Sequence, residues 1–367
     1  MRSLGLLIGL AMAAPAAAQG GNLVAAEPIA ETPAGMQAWK IRYLSRDDRG
    51  VQRELTGVVV APREAIPRLP RKVLAWTHGT WGTAQGCAPS LSARFFEKTP
   101  AVDAVRSGYV VVAPDYPGLG SAGVHPYLVG TVTARSVLDA VRAAQRIPGA
   151  AAGSSYAVWG ESQGGHAALW TGQLQGVEGA GLKLVAVAAG APPTDLAANL
   201  RQASDANARA FLTALATDSW SRYYGVPLRI GRARTPGIIQ RLARNCVTVD
   251  SGPKLGALLG ILALRQDLAK VDLGRTPPWA SFVAANSTSP VSRVPVLFAQ
   301  TTQDPLVAPA VTRAFARRMC ANRVRVRWID LPGKDHATTA RQSAAATLAW
   351  IDGRFAGGQA PNDCGRF

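Results

Sequence analysis

Short runs of apolar, β-favouring residues alternate along most of the chain with longer segments whose apolar positions recur at helical spacing. The first kind predicts strands at 41–44, 57–61, 73–77, 109–113, 156–159, 184–188, 294–299 and 324–329. The second predicts helices at 101–107, 131–147, 165–175, 310–320 and 338–355. In the segment 131–147, Val132, Val137, Leu138, Val141 and Ala144 fall mainly on one face, as a helix packed on a sheet requires. Strand and helix in alternation specify an α/β fold with a mostly parallel sheet flanked by helices. The alternation stops between about 195 and 290, where helix follows helix, including 196–216 and 236–245, with Gly and Pro interruptions and no convincing strand. The expected division is therefore a core of 19–194 and 291–367 with a helical insertion at 195–290. The insertion reads as a cap or lid over a site, or as an extension that only supports the core.

The first residues depart from this pattern. Arg2 precedes an apolar run at 4–14, too short to span a bilayer, and Pro15 with Ala16, Ala17 and Ala18 offers a small-residue cleavage site. Residues 1–18 read as a cleavable signal peptide, which makes the protein secreted or periplasmic, and no later stretch has the length and apolarity of a transmembrane segment. Cys87, Cys246, Cys320 and Cys364 suit an oxidising compartment. None forms a C-x-x-C pair or a zinc-ligand spacing, so two disulfides are expected rather than a metal site, with three pairings open. With 40 Lys and Arg against 23 Asp and Glu, the formal charge is +17. The cations are mostly Arg, spread along the chain without a basic stripe or a nucleic-acid module, so no nucleic-acid partner is expected.

The chemistry concentrates at Tyr156–Gly165, which reads YAVWGESQGG and contains the G-x-S-x-G pattern around Ser162. With 37 glycines, the pattern alone arises by chance in roughly one such chain in five, so its setting decides. The predicted strand before it and helix after it give the strand–turn–helix of a nucleophile elbow. There the glycines two before and two after the serine remove side chains that would clash. A serine nucleophile needs a base, and in elbow hydrolases the order is Ser, then Asp or Glu, then His. Of His78, His125, His166 and His336, only His336 lies late enough, directly after the strand at 324–329. Asp304 follows the preceding strand and is the expected acid; Asp330 also follows a strand and competes, while Asp335 adjoins the histidine. The oxyanion hole would draw on the Gln163 N–H and on the Gly79–Thr80 segment of the turn after the strand at 73–77. His78 reads as a brace for that turn, His125 and His166 as packing or pocket residues, and Glu161 as a supporting residue of the elbow.

These blocks resemble the secretory lipase family, the lipase A-like branch of the α/β-hydrolases, and the chain looks like a bacterial member. WTHGTWG at Trp76–Gly82, GCAPS at Gly86–Ser90 and VVVAPDYPGLG at Val110–Gly120 carry the resemblance. HPYLVG at His125–Gly130, WGESQGGHAALW at Trp159–Trp170, APPTDL at Ala191–Leu196, QDPLVAP at Gln303–Pro309 and PGKDH at Pro332–His336 extend it through most of the mature chain. The resemblance implies an α/β-hydrolase fold with a helical cap inserted before the strand that carries the acid, shaping an acyl-binding tunnel. It implies Asp115 as a rival second oxyanion contributor, and pairings Cys87–Cys246 and Cys320–Cys364. Because the chain keeps a full His78-Gly79-Thr80 segment, both donor regions stay open.

The expected function is a secreted serine carboxylic-ester hydrolase, a lipase or esterase acting on a small-molecule or lipid ester through Ser162, Asp304 and His336 and an acyl-enzyme. No cofactor or metal is implied. An exported serine peptidase or amidase shares such a triad, and a non-catalytic binding module of the same fold is a third reading. Acyl chain length, alcohol preference, interfacial activation and oligomeric state are not written in the motifs.

Overall fold

The computed structural model describes residues 20–64, 70–247 and 255–367; the proposed signal peptide at 1–18 lies outside them. The strands are β1 (Leu23–Pro28), β2 (Met36–Arg46), β3 (Gln52–Pro62), β4 (Arg71–Thr77), β5 (Val110–Pro114), β6 (Ala152–Glu161), β7 (Lys183–Gly190), β8 (Val296–Thr301) and β9 (Val326–Leu331). They form one sheet in the order β1-β2-β3-β5-β4-β6-β7-β8-β9. The first three strands are antiparallel to their neighbours, and from β5 onward every pairing is parallel.

The helices are α1 (Phe95–Lys98), α2 (Ala101–Arg106), α3 (Gly130–Ala144), α4 (Gln163–Glu178), α5 (Leu196–Gln202), α6 (Ala206–Tyr224), α7 (Thr235–Leu242), α8 (Leu255–Asp267), α9 (Trp279–Asn286), α10 (Pro309–Ala321) and α11 (Thr339–Phe355). The twofold alternation of strand side chains sorts them between two layers. Val73, Ala75, Tyr156 and Val158 face a core shared with Val137 and Val141 of α3, Leu169 of α4 and Phe315 of α10. Leu74, Trp76, Ala157 and Trp159 face the opposite core, closed by Phe95 of α1, Val105 of α2 and Leu348 and Ile351 of α11.

Between β7 and β8 the chain forms α5 to α9 and builds a third core. Leu215, Trp220, Leu264 and Trp279 pack there against Val132 of α3 and against Tyr127 and Val129 in the loop before it. Ser219 Oγ donates to the His125 carbonyl at 2.6 Å and Trp220 Nε1 to the Tyr127 carbonyl at 2.8 Å, so α6 is docked by buried polar contacts as well. A disulfide joins Cys87, after β4, to Cys246, after α7, with Cα atoms 5.2 Å apart, and the Val247 N–H donates to the Trp81 carbonyl at 2.8 Å. A second disulfide ties Cys320 in α10 to Cys364 near the end of the chain.

The segment expected as one helix at 196–216 is two. Asp195 caps α5 by accepting from the Ala198 N–H, and Asp205 caps α6 by accepting from the Asn207 and Ala208 N–H groups. A side-chain acceptor at a helix start competes with continuing the preceding helix, and apolar spacing does not register it. Among the described residues, no helix is long and apolar enough to cross a membrane.

His78, His125 and His166 are all buried. Burial holds their imidazoles neutral, with pKa values lowered to about 3, about 4 and about 4 respectively. In the unfolded chain they protonate near the ordinary value of about 6.5. Their contribution is therefore fully present above that pH and lost as pH falls toward 4, because the unfolded state binds more protons. The expected outcome is an apparent Tm that declines from pH 7 to pH 4.5, with a shallower decline in His166→Gln, read by calorimetry across that range.

Candidate active site

The carboxyl ends of β4, β6, β8 and β9 converge on one edge of the sheet, where loops after parallel strands form sites. Ser162 sits between β6 and α4 with φ 55° and ψ −120°, a conformation that non-glycine residues rarely adopt. Its N–H donates to the Gly190 carbonyl at 2.8 Å, and its carbonyl accepts from the His166 N–H at 3.1 Å. The flanking glycines are a steric necessity. A Cβ on Gly164 would stand 1.9 Å from the Thr77 carbonyl oxygen, and one on Gly160 would stand 2.0 Å from Thr77 Oγ1. Thr77 uses that closeness: its hydroxyl reaches the Gly164 carbonyl at 2.8 Å and the Trp159 carbonyl at 3.1 Å.

His336, in the loop between β9 and α11, is held through Nδ1, which donates to Asp304 Oδ2 at 2.7 Å. Asp304 is fixed in turn. Its Oδ1 accepts the Leu306 and Val307 N–H groups, each at 2.9 Å, and its Oδ2 accepts from Gln300 Nε2 at 3.0 Å. Burial disfavours the imidazolium, but the hydrogen bond and charge of Asp304, with further help from Glu161 and Asp335, outweigh it and raise the His336 pKa above the ordinary value. Among the described residues, His336 Nε2 is buried without a hydrogen-bond partner, and His336 and Ser162 line the same cavity.

The rival carboxylates are engaged elsewhere. Asp330 accepts from Arg313 Nη2 at 2.9 Å and from Trp328 Nε1 at 2.7 Å. Asp335 accepts from the Ala337 N–H and the Thr338 hydroxyl within its own loop.

Two segments offer N–H groups beside Ser162. Gln163 is the first residue of α4, where helix N–H groups lack intrahelical acceptors. Gly79 runs so close that a Cβ there would lie 3.9 Å from Ser162 Cβ. Gly79, Thr80 and Gln163 all line the cavity, and their N–H groups have no acceptor among the described residues. His78 stacks on Tyr116 with ring centroids 4.0 Å apart and donates from Nδ1 to the Gly79 carbonyl at 2.7 Å, bracing that turn. His125 donates from Nδ1 to the Pro117 carbonyl and accepts from the Gln163 side chain at 3.1 Å. His166 Nε2 reaches the Asn286 carbonyl at 2.7 Å, joining α4 to the end of α9.

Asp115 does not fit the oxyanion role that the resemblance implied. Its N–H donates to the Thr56 carbonyl at 2.9 Å, and its carboxylate accepts from Thr56 Oγ1 at 2.7 Å and the Ser90 N–H at 3.1 Å. It is buried outside the residues lining the cavity, where it fastens the loop after β5 to β3.

The cavity has a volume of about 690 Å³, within the ~300–1,000 Å³ common for small-molecule sites. Phe96 of α1, Leu128 of the loop before α3, and Leu200, Phe211, Leu212 and Trp220 of α5 and α6 wall it. Among the described residues, no cluster of His, Cys, Asp or Glu is placed to hold a metal ion.

Residues 92–363 match the family described as secretory lipase. Lipase 2 of Candida albicans is 25% identical over 352 residues, covering 87% of this chain and 72% of that protein. A Mycobacterium tuberculosis protein described as a probable inactive lipase is 24% identical over 347 residues, covering 89% and 75%. Among solved structures, Candida antarctica lipase A in its closed state superposes with a TM-score of 0.75 at 18% identity, covering 94% of this chain and 84% of that one. The rice cell wall degrading esterase LipA from Xanthomonas oryzae superposes with a TM-score of 0.71 at 19% identity, covering 89% and 97%. These structural likenesses establish the α/β-hydrolase fold.

The glycine contacts predict a contrast between two substitutions. Gly164→Ala forces a methyl group into the Thr77 backbone and is expected to destabilise by about 3 kcal/mol or more and to abolish esterase activity. Gly86→Ala meets nothing within 4 Å among the described residues and should change stability by no more than about 0.5 kcal/mol. Thermal unfolding of both variants checks it.

Proposed function

The chain belongs to the secretory lipase family and is a carboxylic ester hydrolase, and from that premise we propose that Ser162, His336 and Asp304 carry the reaction. The observation that supports this most strongly is the pair of states at His336: Nδ1 bound to Asp304 at 2.7 Å, and Nε2 without a partner among the described residues on the cavity that Ser162 also lines. With its Nδ1 proton held by the carboxylate, the imidazole presents a lone pair at Nε2. It takes the Ser162 proton as Oγ attacks the ester carbonyl, and Asp304 stabilises the imidazolium that forms. The N–H groups of Gln163 and of Gly79 or Thr80 receive the developing oxyanion. The imidazolium then protonates the departing alcohol, leaving an acyl-enzyme. Water deprotonated by the same Nε2 releases the acid.

The helices α5 to α9 act as a cap, and the acyl group lies against Leu200, Phe211, Leu212 and Trp220. An apolar wall of this kind favours a hydrocarbon acyl chain over a peptide, whose backbone would need polar partners. The protein is exported, in keeping with its two disulfides and with the leader proposed at 1–18.

Ser162→Ala is expected to lower kcat/KM for p-nitrophenyl butyrate by more than ~10⁴-fold with Tm little changed. Near wild-type turnover by the folded variant would overturn the assignment. Because activity needs neutral His336 and its pKa is raised, kcat/KM of the wild type should fall on the acid side with a midpoint above 6.5. Leu212→Trp, which adds bulk to the cap wall, should lower the ratio of octanoate to butyrate hydrolysis by ~10-fold or more, measured across p-nitrophenyl esters.

A further inference from the structure

Glu161 stands one residue before Ser162, at the end of β6, and lines the cavity. Its Oε2 accepts the N–H of Ala340 at 2.6 Å, across 179 positions of sequence. Ala340 is the second residue of α11, whose own N-cap, Thr338, makes no side-chain capping bond. The first turn of a helix carries N–H groups without intrahelical acceptors and a partial positive charge, and a carboxylate satisfies both. Here the carboxylate comes from the elbow rather than from the helix's own sequence. The loop it secures is the one bearing His336, which reaches α11 through Thr339, whose hydroxyl donates to the His336 carbonyl at 2.9 Å.

The charges around Glu161 are few. His336, Asp335 and Arg341 face it from the loop and from α11. The neighbouring strands end beside it in Thr77 and Gly190, both uncharged, and His78 beyond Thr77 is buried and neutral. On the side of α4 it meets Ser162 and Gln163. Glu97, Lys98, Asp103 and Arg209 line other parts of the same cavity. Burial pushes the Glu161 carboxyl up to about 7, against the Ala340 N–H and the His336 charge, which favour the anion. The influence is mutual, since Glu161 is among the groups that raise His336.

We propose that Glu161 is a positioning residue for the ester hydrolysis, fastening the His336 loop to the nucleophile turn and facing the imidazole with a second carboxylate that stabilises its protonated form. Asp304 fixes the ring through one nitrogen; Glu161 fixes the start of the helix that follows the loop and adds a second negative charge. This rests on the Ser162–His336–Asp304 reading. In the step where Ser162 Oγ bonds to the ester carbon, its proton moves to His336 Nε2, and the positive charge is then stabilised by two carboxylates instead of one.

Glu161→Gln keeps an oxygen that can accept the Ala340 N–H while removing the charge. Its expected signature is a kcat reduced by ~10-fold with KM little changed, and an acid limb of kcat/KM moved to lower pH by about 0.5–1 unit. The direction follows from the sign of the interaction: the anion raises the His336 pKa, so its loss lowers it. Glu161→Asp retains charge at shorter reach and should recover part of the wild-type profile. A Glu161→Gln enzyme with the wild-type pH profile, or one that changes only in Tm, overturns the proposal, because a purely structural cap would not move the acid limb. If neither variant folds, NMR titration of the wild type asks the same question: linked, biphasic titrations of the Glu161 carboxyl and the His336 ring are expected, and two independent single-step titrations overturn it. Ser162→Ala separates the levels. If that variant stays active the triad reading fails; if it is inactive while Glu161→Gln titrates like wild type, only this inference fails.

Discussion

The close approach of Thr77 to the two elbow glycines sets the geometry on which the site depends. Strands β4 and β6 are neighbours in the sheet, with Thr77 paired to Gly160, and the turn at Ser162 folds back over the end of β4. The space that a Cβ on Gly160 or Gly164 would need is occupied by Thr77 atoms, and the Thr77 hydroxyl bonds the carbonyls on either side of the turn. A serine with φ 55° costs on the order of 1–3 kcal/mol and persists only where surrounding contacts fix it. Here those contacts come from both neighbouring strands, Thr77 of β4 and Gly190 of β7. The strain is thus imposed by the sheet, and it turns the Ser162 side chain toward the cavity.

From that turn the other parts follow by strand order. Loops after β8 and β9 bring Asp304 and His336 together because those strands are adjacent, paired along Val296–Thr301 and Val326–Leu331. The loop after β4 brings Gly79 beside Ser162, stiffened by His78, Tyr116 and a disulfide a few residues on. The same disulfide anchors the segment after α7. The helices that wall the cavity are therefore tied covalently to the loop that carries Gly79 and Thr80, the proposed oxyanion donors, and polar bonds from α6 to His125 and Tyr127 tie them again. The proposed acyl wall and the proposed catalytic loops share one mechanical frame.

Much of this was written locally. Runs such as Val73–Thr77 and Tyr156–Trp159 face a core on each side, so they are apolar at nearly every position and their strand character is visible as short β-favouring runs, and β6 and α4 stand on either side of Ser162. The edge strand β1 was not visible, because LVAAEP has only Leu23 and Val24 as strongly apolar, β-favouring residues before two alanines, Glu27 and Pro28, and it takes its shape from pairing with β2. Nor was α8, whose LGALLGILAL run is apolar on all sides and interrupted by two glycines, so no single face stands out. The site divides in the same way. The chain order of Ser162, Asp304 and His336 can be read from motifs. Which N–H groups lack acceptors cannot, because that depends on backbone contacts between distant loops. Asp115 illustrates the limit: a carboxylate in a family block becomes a brace once Thr56 and Ser90 take up its oxygens and Thr56 its N–H. Glu161 is the converse, an unremarkable elbow position until the fold sets it against a helix start 179 residues away.

The central claim is that Ser162 is a nucleophile activated through His336. Covalent labelling with a fluorophosphonate ester, followed by peptide mass spectrometry, tests it most directly. The account predicts one adduct per chain, on the peptide containing Ser162, forming on the wild type and slowed by orders of magnitude in a folded His336→Ala variant. An adduct on another residue, or labelling of Ser162 at an undiminished rate without His336, would contradict it.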